Sequence, residues 1–194
     1  MLRFLLASSL AIALSVSVAA AASPPAAVPT VPAGKLAPEA SAPTIDGHVD
    51  EAVWQTVEPH SSFIQQDPIE GDPASEKTEV RILIGHGNVY VGIICYDSDP
   101  SKIIVSQSRR DATLTDTDSV ILVFDTFNDS QNAFVFGTNP IGIEYDGQLS
   151  REGQTSGITF QGGSTGTQRG GISAFNPNWD GDWTVKSSMT LLES

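Results

Sequence analysis

Apolar and polar positions alternate through Thr78-Glu79-Val80-Arg81-Ile82-Leu83-Ile84, with Val80, Ile82 and Ile84 on one side and Glu79, Arg81 and Leu83 on the other. This period of two predicts a half-buried strand. From Val89 to Tyr96 both faces are apolar, and Gly85-His86-Gly87-Asn88 between the two runs is a turn signal, so the pair reads as a hairpin. Ile103-Ile104-Val105 is a short third run. Val120-Ile121-Leu122-Val123-Phe124 is the most apolar stretch and is expected to be a central strand. Ala133-Phe134-Val135-Phe136, across the Asn128-Asp129-Ser130 turn, is its expected partner, and Ile141-Gly142-Ile143-Glu144-Tyr145 follows. Beyond a short turn at Asp50–Thr56, no window carries a helical period. Many short strands separated by turn signals predict an all-β chain folded as an antiparallel β-sandwich.

The two ends read differently. Met1-Leu2-Arg3, an apolar run to Val18 and Ala20-Ala21-Ala22 have the form of a secretory signal peptide, assigned to residues 1–22. Residues 23–43 carry six prolines and many alanines, a composition that favours extended linker. Residues 44–194 are left for one domain. Residues 151–178 are dense in Gly, Ser, Thr and Gln and are expected to form a long, poorly ordered loop. Trp183-Thr184-Val185-Lys186 reads as the start of another strand, and the sandwich is expected to lack its last strand or strands.

Charge narrows the partners. The formal net charge is −13, and the leader adds only Arg3 to the basic side. An acidic secreted or periplasmic domain excludes nucleic acid and anionic lipid as natural partners. Neutral sugars and Ca²⁺ stay compatible. Cys95 is the sole cysteine, so no internal disulfide forms, and its place in an apolar run predicts a buried, inert thiol.

The order of several motifs carries more than any one of them. Ile45-Asp46-Gly47-His48-Val49-Asp50-Glu51-Ala52-Val53-Trp54 is an acidic, Gly-containing turn that delivers one large aromatic to a core. The hairpin motifs at 78–84 and 88–93 follow, then Asp116-Thr117-Asp118-Ser119-Val120 leading into Phe124-Asp125, and later Asn139-Pro140-Ile141-Gly142. This series resembles the family 9 carbohydrate-binding modules and their DOMON-like relatives. More narrowly, it resembles the amino-terminal module of large bacterial envelope proteins with an uncharacterised C-terminal barrel-like region. The resemblance spans about residues 42–186. It implies a jelly-roll-like sandwich that is not itself an enzyme, binds an oligo- or polysaccharide, and accompanies glycoside hydrolysis and polysaccharide catabolism. The alternative is a structural or docking domain of an outer-membrane protein that binds no sugar.

Sugar binding rests on aromatic faces and on polar groups that meet hydroxyls. Trp179 and Trp183 flank Asp180-Gly181-Asp182 and are the candidate platform, with Arg110, Asp118 and Asn139 as candidate polar contacts. Asp118 and Asn139 have a second reading, as side chains that cap loop N–H groups. The resemblance also shows departures. Where sugar-binding members carry a stacking Trp, a Glu and an Arg, this chain has Thr115, Ile121 and Gly137.

Other chemistry is weaker. The Asp97/Asp99, Asp116/Asp118 and Asp180/Asp182 pairs could contribute oxygens to a structural calcium, although no EF-hand pattern is present. His48, His60 and His86 lack metal-ligand spacing. Gly162-Gly163-Ser164-Thr165-Gly166 matches a nucleophile pattern, but no His follows it and its flanks are loop-like. No catalytic set emerges.

Overall fold

The computed structural model describes residues 30–151 and 173–190. Residues 1–22, expected to be a signal peptide, the Gly162–Gly166 motif and most of the 151–178 segment lie outside the described residues. Among the described residues, seven strands form two sheets, and the fold is all-β. The first sheet has the order β1-β2-β3, with β1 at Ala33–Lys35, β2 at Thr78–Gly85 and β3 at Asn88–Cys95. The second has the order β4-β5-β6-β7, with β4 at Val120–Phe124, β5 at Asn132–Thr138, β6 at Tyr145–Arg151 and β7 at Ser173–Asn176.

The hairpin of β2 and β3 pairs in register from Thr78↔Cys95 to Gly85↔Asn88. His86 and Gly87, both at positive φ, make the two-residue turn, whose twist suits a hairpin. His86 accepts this strain while its Nε2 lies 2.9 Å from the Ala40 carbonyl.

β2 is half-buried, and its more buried side is the one carrying Glu79, Arg81 and Leu83. Leu83 has no exposed surface, whereas Ile84 is exposed. Glu79 and Arg81 share the Leu83 side, and they can be buried because they pair: Glu79 lies 3.1 Å from Arg81 and 2.5 Å from Lys77. The hydrogen bond from Lys77 lowers the Glu79 pKa against the opposing effect of burial, and Arg81 adds to the lowering.

Trp54 closes this side. A short 3₁₀ turn, Ala52–Thr56, swings the indole onto Val57, Leu36 and Leu83. Its Nε1–H donates to Glu51 Oε2 at 3.0 Å, and Glu51 Oε1 accepts the Thr44 N–H at 2.8 Å, so the buried ring leaves no polar atom unpaired. The ring lies over Gly92, where any Cβ would sit 2.8 Å from Val49 and 3.2 Å from the indole.

Several expectations need correction. The Pro/Ala-rich segment contributes β1, parallel to β2, and Leu36 from it is buried. Its backbone is already extended and needs only Ile84 O as acceptor for Leu36 N–H, at 2.9 Å. Among the described residues, β4 is an edge strand rather than a central one. Ile103–Val105 forms no strand, because Ile104 gives its backbone groups to Asp118 and Thr117. The chain turns at Pro140–Ile141, where Gly142, at φ 75°, donates its N–H to the Asn139 carbonyl, and the strand starts only at Tyr145. β7 lies within the segment expected to be loop. Residues 183–190 pair in no strand among the described residues, yet Ser187 and Ser188 donate to the carbonyls of Pro140 and Gly47. Cys95 is exposed, since it ends β3 on the side away from Trp54.

Candidate functional site

The second sheet carries the candidate site on one face. Registers Phe124↔Phe134, Leu122↔Phe136 and Phe136↔Asp146 put three phenylalanines and one aspartate on the same side. The opposite side buries Ala133, Val135 and Leu149 under Tyr145 and Phe175.

Trp179 lies on the phenylalanine face. Its ring centroid is 4.7 Å from Phe134, tilted by 30°, and 5.8 Å from Phe136, edge-on. Trp183 meets Phe136 at 5.2 Å, and Phe124 meets it at 5.7 Å. These are favourable offset and edge-to-face geometries. Both indoles are half-buried, and the Trp183 Nε1 is buried without a partner among the described residues. Gly181 lets the chain pass between them, since a Cβ there would sit 2.9 Å from Trp179 and 3.0 Å from Phe136.

Asp146 fixes this segment to the sheet. Its Oδ2 accepts the Gly181 N–H at 2.6 Å, and its Oδ1 lies 3.1 Å from Arg110 Nη2. Arg110 also pairs with Glu144, Asp180 and Asp111. Loss of hydration works against the Arg110 charge, but Asp180, Asp146, Glu144 and Asp111 outweigh it and raise the guanidinium pKa. Asp111, at φ 59°, donates its N–H to the Glu144 carbonyl and so turns Arg110 toward β6. One cation thus ties together a loop, a strand and the Trp179–Trp183 segment. The outer part stays open: the Arg110 side chain is 42% exposed and that of Asp180 77%.

The structure brings together Trp179, Trp183 and Arg110 of the expected residues. Asp118 and Asn139 serve elsewhere. Asp118 Oδ2 accepts the Ile104 N–H at 2.7 Å. Asn139 is buried, gives its amide to Gln107 O at 2.7 Å and accepts the N–H groups of Ile141 and Ile143. These bonds hold the 104–107 loop and the 139–143 turn. At Gly137, one of the departures, a Cβ would sit 2.6 Å from the Leu114 Cδ1 and 3.1 Å from Tyr145, so any side chain there requires Leu114 to shift. Ile121 is exposed, and Thr115 bonds to Thr113.

Asp146 and Glu144 were not among the expected site residues. Their signal was slight: aspartate is depleted in strands, and Asp146 lies in one beside Tyr145. The Phe134–Trp179 contact joins segments too far apart in the chain for periodicity to reveal. Among the described residues, no group of three Asp, Glu, His or Cys side chains is placed to hold a metal ion. A separate open groove of about 530 Å³, lined by Ser61, Phe63, Ile64, Pro73, Glu76 and Lys77, contains no tryptophan. Comparison with protein-family models, curated proteins and solved structures returned no match.

Proposed function

We propose that this is a non-catalytic carbohydrate-binding module of a secreted or envelope protein. The observation that supports it is the half-buried Trp179 ring beside the partly open Arg110–Asp180 pair. A sugar offers a C–H face to the one and hydroxyls to the other. The platform is pre-formed, because Phe134 and Phe136 hold the indole and Asp146 holds Gly181, so little ordering cost remains for binding. Affinity electrophoresis tests this. The chain is expected to be retarded in gels containing a soluble polysaccharide, and Trp179→Ala to run unretarded. Equal mobility with and without every polysaccharide would reject the proposal.

A second reading, a docking domain that binds no sugar, draws on a different observation. The cross-strand neighbours Ile84 and Val89 are 48% and 53% exposed on the first sheet. In that reading, another part of an outer-membrane protein, such as a C-terminal barrel, covers them.

A further inference from the structure

We infer that β4 is the contact through which two copies of this chain associate, edge to edge, about a twofold axis at Leu122. Among the described residues, β4 pairs only with β5 and so ends the second sheet. An edge strand presents unpaired N–H and C=O groups, and natural edges are normally blunted by charge, proline or a bulge. Val120–Phe124 has no charged residue and no proline, and it pairs with β5 without interruption. Two of its side chains, Ile121 and Val123, are 38% and 42% exposed on the face that also carries the buried Val135.

The strand is self-complementary, which is what selects a second copy as its occupant. Antiparallel pairing about Leu122 sets Ile121 against Val123 of the second copy and Val120 against Phe124. All five apolar residues then meet apolar residues. The flanking acids also avoid one another: Asp118 faces Thr126, Asp125 faces Ser119 and Asp116 faces Asn128. Like charges directly opposite would oppose pairing, and here none occur. Asp125 and Asp118 are further occupied with backbone N–H groups of their own copy, namely Asp129, Ser130 and Ile104. The result is a continuous eight-stranded sheet in which Ile121 and Val123 cover each other.

Sedimentation velocity of the purified chain over a concentration series is expected to show a monomer–dimer equilibrium. Val123→Lys puts an ammonium beside Ile121 of the second copy and is expected to weaken the dimer at least about tenfold. Ile84→Lys, on the other sheet, is expected to leave it unchanged. Register is read by cross-linking: in a Cys95→Ser background, Leu122→Cys is expected to oxidise to a covalent dimer, whereas Ile84→Cys is not. A chain that stays monomeric throughout overturns the inference. So does a dimer that survives Val123→Lys and fails to cross-link at position 122, or one that dissociates with Ile84→Lys.

Discussion

The carboxylate of Asp146, with a side chain 1% exposed, lies 3.1 Å from the guanidinium of Arg110, which is 42% exposed. A nearly buried anion is thus neutralised from the surface, and its other oxygen holds Gly181 N–H. The pair therefore decides where Trp179 and Trp183 sit. Asp146→Ala is expected to destabilise the fold by about 1–2 kcal/mol, chiefly because the half-buried Gly181 N–H loses its acceptor, and to raise the exposure of both indoles. Urea unfolding followed by tryptophan fluorescence measures both. Arg110→Ala is expected to act in the same direction, because it leaves Asp146 buried without its cation.

Acid should weaken the first sheet. The Glu79 pKa is lowered from an ordinary 4.5, chiefly by the Lys77 hydrogen bond. A lowered carboxylate pKa means that the stabilisation is complete above the unfolded value and is lost as pH falls through the folded one. Asp99 and Asp129 are lowered as well, by side-chain bonds from Lys102 and Asn132. The urea midpoint should stay level from pH 7 to 5 and decline below about 4.5. Glu79→Gln should flatten part of that decline.

Gly92 tests the packing around Trp54. Gly92→Ala forces a methyl to within 2.8 Å of Val49 and 3.2 Å of the indole, and it should cost about 1–3 kcal/mol through overpacking. Trp54→Ala removes the ring itself, 3% exposed, and should cost about 3–5 kcal/mol. Thermal denaturation of the two variants should rank them in that order.

Cys95 is exposed at the end of β3, and partial burial raises its pKa above the ordinary 9.0, an effect the Thr78 hydroxyl partly offsets. The native chain should therefore take up one equivalent of a maleimide without denaturant, slowly at pH 7 and faster as pH rises, since the thiolate is the nucleophile. Labelling only after unfolding would contradict this.

Much of the architecture was legible where local pattern and tertiary packing agree. The hairpin of β2 and β3, the Trp54 plug and the β4–β5 pairing all follow from runs of apolar residues between turn signals. Legibility failed where long-range contacts override local pattern. Leu36 was concealed by its Pro/Ala-rich surroundings, because a strand of three residues needs only one neighbouring edge. The alternation in β2 did not say which side is buried, since Glu79 and Arg81 are polar singly yet together form a largely buried pair. β4 read as central because it is the most apolar strand, but apolarity cannot distinguish a central strand from an edge awaiting a neighbour. At the site, Trp179, Trp183 and Arg110 were legible as residue types. The link between them runs through Asp146, and only the fold reveals it.

The most direct measurement is isothermal titration of soluble oligosaccharides into the purified chain and into Trp179→Ala, with circular dichroism verifying that both are folded. A carbohydrate module built on this platform predicts saturable heat with at least one oligosaccharide, abolished in the Trp179→Ala variant. No heat from the folded chain with any sugar, or heat that the substitution leaves unchanged, would contradict it.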